Sequence, residues 1–105
     1  MTPAYAVLCT QPGCPRPAAY KIAARWSDGS TEELKTYALC CADCLPEWYR
    51  RSRAKQAACR LAPGEVLEPP GIYHLERGQH DQELRRADDV EQQLLAAQPA
   101  IGPRP

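Results

Sequence analysis

The spacing of its cysteines constrains this chain more than any other feature. Five of the six fall into two short-range groups, Cys9-Thr10-Gln11-Pro12-Gly13-Cys14 and, about 25 residues on, Cys40-Cys41-Ala42-Asp43-Cys44. Each group is short enough to sit on one tight turn, so its sulfurs meet at little cost in loop entropy. Pro12-Gly13 is suitable turn chemistry for the first group. Tetrahedral zinc takes four soft ligands at about 2.3 Å, and two cysteine pairs of this kind supply them.

A chain of this size also needs such a staple. Its 105 residues accommodate one domain with tails. The side chains that usually fill a core are scarce, with no Phe, one Met, two Trp and five Tyr, and much of the apolar content is alanine. In small domains a core this poor is commonly supplemented by disulfides or metal. The opening residues lack the basic start and long apolar run of a signal peptide, and no segment is apolar enough to span a membrane. The expected compartment is therefore the reducing cytoplasm, where paired cysteines hold metal more often than they form disulfides.

The sequence divides into four zones. Residues 1–60 form the cysteine-bounded unit. Within it, residues 19–26 alternate, with Tyr20, Ile22, Ala24 and Trp26 on one face and Lys21 and Arg25 on the other, which predicts a strand. Asp28-Gly29 supplies a hairpin turn, and residues 33–39 predict the return strand. A helix to about Arg60 follows, with Asp43 as its cap, Pro46 in its first turn, and an apolar stripe of Leu45, Trp48, Tyr49, Ser52, Gln56 and Cys59. Residues 61–79, punctuated by Pro63-Gly64 and Pro69-Pro70-Gly71, read as extended, irregular chain clipped onto the unit by Val66, Leu67, Ile72, Tyr73 and Leu75. Residues 80–97 predict a short acidic helix in which Asp88 and Glu91 form a capping-box-like pair ahead of Leu94 and Leu95. Residues 98–105 read as a disordered tail.

The order of loop pair, hairpin, second pair and helix resembles that of treble-clef and zinc-ribbon-like zinc fingers, over residues 9–59. The resemblance implies a small α+β zinc-stabilised domain with one structural Zn2+. It carries the ligand role to Cys9, Cys14 and Cys44, with either Cys41 or Cys40 as the fourth. The first spacing of four residues is wider than the usual two. Cys41-x-x-Cys44 has zinc-knuckle spacing, which favours Cys41, whereas Cys40 continues the strand alternation toward the core. Cys59, on the helix stripe, reads as a small buried hydrophobe. Arg16 and Lys21 are cations that can soften the formal −2 charge of a four-thiolate shell. A disulfide framework and a dithiol redox centre at the helix start are the alternatives for the cluster. His74 and His80 lie outside the finger in loop sequence that leaves imidazole solvated.

Function is bounded by charge and by what is missing. Residues 1–60 carry nine Lys or Arg against five Asp or Glu, and residues 61–105 four against eight. The chain is a dipole with zero net charge, which argues against whole-chain attraction to nucleic acid or membrane. Ser/His/Asp and Cys/His arrangements and phosphate-cradling Gly-rich loops are not evident, so an enzyme is not expected. With four thiolates the zinc shell is closed, and zinc in structural fingers contributes about 10 to 16 kcal/mol to folding. The leading expectation is a protein-interaction module that contacts a partner protein or its own copy, on the strength of the segment around Ile72-Tyr73 and the acidic terminal helix. The alternative is nucleic-acid binding through Arg50, Arg51, Arg53, Lys55 and Arg60, beside Trp48 and Tyr49 on the helix.

Overall fold

The structure is a computed structural model and describes residues 8–75 and 85–97. The element order is β1 (Tyr20–Ser27), β2 (Glu32–Cys40), α1 (Leu45–Ala57), β3 (Val66–Leu67), β4 (Gly71–His74) and α2 (Asp88–Ala97). This is a small α+β arrangement: an antiparallel four-stranded sheet with two helices. The tail at 98–105 and the residues ahead of Arg85 in the predicted terminal helix lie outside the described residues.

β1 and β2 form the predicted hairpin, in register from Tyr20 opposite Cys40 to Ser27 opposite Glu32, with one shift between Ile22 and Ala23. The turn depends on Asp28, whose Oδ1 accepts the backbone N–H groups of Ser30 and Thr31 at 2.9 and 2.6 Å. Those two donors hold the Asp28 carboxyl below the usual carboxylate range. Gly29 follows at φ +94°, a conformation few side chains tolerate.

The Pro-rich segment is more regular than its sequence suggests. Instead of irregular chain, it contributes two short strands that pair antiparallel with β1: Val66 and Leu67 opposite Ser27 and Trp26, then Gly71 to His74 opposite Ala23 to Tyr20. The prolines at 69 and 70 fall between the strands, where a missing N–H breaks no ladder. Backbone bonds from Glu68 N–H to the Arg25 carbonyl (2.9 Å) and from Leu75 N–H to the Ala19 carbonyl (2.9 Å) extend the pairing. β1 is thereby the central strand, and Ile22, Ala23 and Ala24 are all buried, so the simple in–out alternation is lost at its middle. His74 is on β4, half-buried, with its ring 5.7 Å from that of Tyr20, and not in a solvated loop. His80 lies outside the described residues.

α1 differs from expectation at both ends. Its cap is Cys44, with no side-chain capping bond, and Asp43 instead forms an ion pair with Arg16. At the other end the Cys59 N–H bonds to the Gln56 carbonyl, a tightened turn that stops the helix at Ala57. Cys59 therefore falls past the helix and is exposed, not buried on its stripe. Leu45, Tyr49 and Ser52 are buried, and Gln56 reaches across to the Leu67 carbonyl at 3.1 Å.

The core joins Ile22, Ala38, Cys40, Leu45, Tyr49, Ile72 and Ala87 to Cys9 and Cys41. It is small, and Tyr49, Ile22, Ile72 and Cys40 are its largest fully buried side chains. α2 closes it through Glu91 instead of a capping box. The Glu91 carboxylate is buried, accepting from the Ile72 N–H at 2.8 Å and from Arg86 Nε and an Arg86 terminal nitrogen at 2.7 and 3.0 Å. Ala87 and His74 donate N–H bonds to the Ile72 and Arg85 carbonyls, so the chain before α2 lies alongside β4. Replacing Glu91 by Gln keeps the shape but removes the charge from this buried bond set, and is expected to lower unfolding free energy by about 2 kcal/mol in urea titration. An unchanged midpoint would show that the latch does not hold α2.

Candidate metal centre

Cys9 and Cys14 come from a turn at the start of the described chain. The Cys9 N–H donates to the Arg16 carbonyl at 3.0 Å and the Cys14 N–H to the Gln11 carbonyl at 3.0 Å, closing a knuckle, with Gly13 at φ +82° inside it. The knuckle is docked onto the end of β2 by Thr10. Its N–H donates to the Leu39 carbonyl at 2.6 Å, and its Oγ1 accepts the Leu39 N–H at 2.9 Å. A third tie runs from the Trp48 indole N–H to Gln11 Oε1 at 3.0 Å, linking knuckle to helix. No local sequence signal marks Thr10 and Gln11, since two polar residues between cysteines have the composition of ordinary turn filler.

Cys41 and Cys44 come from the junction where β2 passes into α1. The Leu45 N–H bonds to the Cys41 carbonyl at 3.1 Å and the Trp48 N–H to the Cys44 carbonyl at 3.2 Å. These bonds open the helix directly over the knuckle. The Sγ atoms of Cys9, Cys14, Cys41 and Cys44 all lie within 4.8 Å of one another, a cluster that can hold a metal ion. Cys14 Sγ is 3.9 Å from that of Cys41 and 4.0 Å from that of Cys44. A tetrahedron with 2.3 Å metal–sulfur bonds has edges of about 3.8 Å, so the spacing suits such a centre. All six cysteines are free, and these separations are far from the about 2.05 Å of a disulfide.

Electrostatics separates the vicinal cysteines. The Cys41 thiol is lowered to about 7, first by the backbone N–H of Cys44 and then by the neighbouring sulfurs, against the effect of burial. Cys44 is raised to about 12, chiefly by its side-chain bond to Cys41. Cys40 turns away into the core with no exposure, and burial, followed by its neighbours Cys9 and Cys41, pushes its thiol up to about 12. Among the described residues the metal-competent cluster is these four thiols and does not include His74. Of the cations expected to soften a thiolate shell, Arg16 is committed to Asp43, next in sequence to Cys44.

The helix cations do not form one open face. Arg50 grips Glu47 with two bonds, at 3.2 and 2.6 Å, and Arg51 reaches the same carboxylate at 2.8 Å, which holds the Glu47 carboxyl below its usual range. Arg51 also stacks over Trp48 and Arg53 over Tyr49, with centroid distances of 5.0 and 5.6 Å. Lys55 and Arg60 lie at the other end and line a groove with Trp26 and Tyr37. No described helix is long and apolar enough to cross a membrane.

Comparison with known protein families, curated proteins and solved structures finds no match to this chain.

The cysteine set can be separated by substitution. Serine at Cys9, Cys14, Cys41 or Cys44 is expected to abolish stoichiometric metal in purified protein, measured by elemental analysis. Cys40→Ser should keep one metal per chain while losing about 1 to 3 kcal/mol for a buried hydroxyl, and Cys59→Ser should stay within about 0.5 kcal/mol of the parent. Loss of metal in Cys40→Ser with retention in Cys41→Ser would reverse the assignment.

Proposed function

We propose that the chain is a structural zinc-binding domain of treble-clef-like layout that acts as a protein-interaction module. The observation that carries it is the gathering of four sulfurs from two separate turns at spacings suited to one tetrahedral ion. The order of knuckle, hairpin, second pair and helix supports the zinc-finger comparison. Cys9, Cys14, Cys41 and Cys44 would hold one Zn2+, the metal favoured by an all-thiolate tetrahedral set.

Four sulfurs complete the shell, leaving no position for a water or substrate to be activated, so the metal serves architecture and not catalysis. Activity then resides on the surface. The contact cannot be made by Ile72 and Tyr73 as they stand, since both are buried in β4. The available apolar anchors are Leu8, Leu61, Val66 and, on the acidic helix α2, Leu95, which stand exposed on the described surface. An exposed apolar side chain on a short edge strand such as β3 favours a protein partner over a small substrate.

Zinc dependence tests both parts together. Zinc-loaded protein is expected to capture a specific partner, or to self-associate in light scattering, and Val66→Asp should weaken either by tenfold or more. Chelation should abolish binding and unfold the domain in one step. A zinc-loaded chain that stays monomeric at high concentration and retains no partner in a pull-down would contradict the interaction role, leaving the metal site intact.

A further inference from the structure

At the end of α1 remote from the cysteines, the hairpin and the chain after the helix enclose a groove of about 350 Å³. That volume is at the lower end of the range for small-molecule sites, about 300 to 1,000 Å³. The thirteen residues of α1 place the groove about 20 Å along the helix from Cys44, so it is a separate feature from the metal centre.

Its lining combines two chemistries. Trp26 and Tyr37, both half-buried, supply aromatic surface, and Lys35, Lys55 and Arg60 supply three cations. The single lining carboxylate, Glu65, is turned to internal use. One oxygen accepts the Trp26 indole N–H at 3.1 Å, and the other accepts the Ala62 N–H at 2.6 Å. Trp26 is therefore pinned in place before any ligand arrives. Lys35 sits 4.8 Å over the Trp26 ring and 4.0 Å from Glu33, an exposed pair of little energetic weight. Lys55 and Arg60 have no acidic partner among the described residues, in contrast to Arg50 and Arg51, which share Glu47. Lys55 offsets the partial negative charge of the helix end, while Lys35 and Arg60 arrive from other segments and leave the groove positive.

We infer that this groove binds a nucleotide unit, its phosphate held by Lys35, Lys55 and Arg60 and its base set against Trp26 and Tyr37. Positive grooves with aromatic platforms take nucleotides because stacking and phosphate neutralisation act on the two halves of the same ligand. Neither half alone uses the whole lining: inorganic phosphate leaves the rings idle, and an uncharged ring leaves three cations idle. The inference goes beyond the structural zinc role and involves none of the metal ligands.

Zinc-loaded protein, labelled with ¹⁵N, is titrated at low salt with adenosine monophosphate, inorganic phosphate and a single-stranded hexanucleotide. The Trp26 indole N–H signal is expected to shift saturably with the nucleotide and with the strand, but not with phosphate, while the Trp48 indole stays unmoved. A Lys55→Gln, Arg60→Gln double variant should bind at least tenfold more weakly, and an Arg50→Gln, Arg51→Gln variant should stay within about twofold of the parent. Both variants are read only with metal content and far-UV spectrum unchanged. Equal affinity for monophosphate and strand identifies a free nucleotide as the ligand; a stronger strand response identifies a nucleotide read within single-stranded nucleic acid, and either supports the groove. Absence of a saturable Trp26 shift up to about 10 mM nucleotide, or loss of binding in the Arg50/Arg51 variant alone, would overturn it.

Discussion

Everything in the domain hangs on the meeting of two turns at one cluster of sulfurs. The knuckle carrying Cys9 and Cys14 has little apolar surface of its own to hold it against the sheet. It reaches the rest of the chain through Thr10 and Leu39, through Gln11 and Trp48, and through sulfur. These three hydrogen bonds contribute about 1 kcal/mol each, too little to order a turn whose residues each cost about 1 to 2 kcal/mol to fix. A metal ion bridging the turns would close that gap, because its binding energy would be released only when strand end, helix start and knuckle are all in place. The buried set beside the cluster, with Ala38, Ala87 and Cys40 where larger domains place Leu or Phe, is too small to do this alone.

From that junction the geometry propagates along α1. Cys44 begins the helix with its sulfur committed to the cluster, and Leu45, Tyr49 and Ser52 then fall on the sheet. Gln56 fixes the far end by bonding to β3. The C-terminal part adds a different principle. There a buried carboxylate, Glu91, bonds to the backbone of β4 and to Arg86, so α2 is held by directional polar bonds as well as by Val90 and Leu94 packed on the core. The same economy appears at the groove, where Glu65 orients Trp26 and the loop at Ala62 together.

The hairpin, the helix after it and the terminal helix were legible because each has a local signal: alternation around Ile22, Asp28-Gly29 at the turn, Pro46 in a first turn, and acidic residues ahead of Leu94. The cysteine pairs were legible from spacing, and Cys40 separated from Cys41 because strand alternation and turn spacing point them in different directions. What escaped depends on contacts between distant residues. Nothing local marks residues 66–74 as strands, since their order comes from pairing with β1. Asp43 is a good capping residue that found a better partner in Arg16. Glu91 looked like half of a capping box because the Ile72 N–H that it satisfies lies nineteen residues away. Cys59 continued the helical period, but the helix ends before reaching it.

The central claim is that one metal ion, coordinated by sulfur alone, joins the two turns. X-ray absorption at the zinc edge of protein purified without added metal tests it most directly. The account predicts one zinc per chain with a first shell of four sulfurs at about 2.3 Å and no nitrogen or oxygen neighbour. A protein that folds without stoichiometric metal, or one whose zinc is surrounded by nitrogen and oxygen ligands, would contradict it.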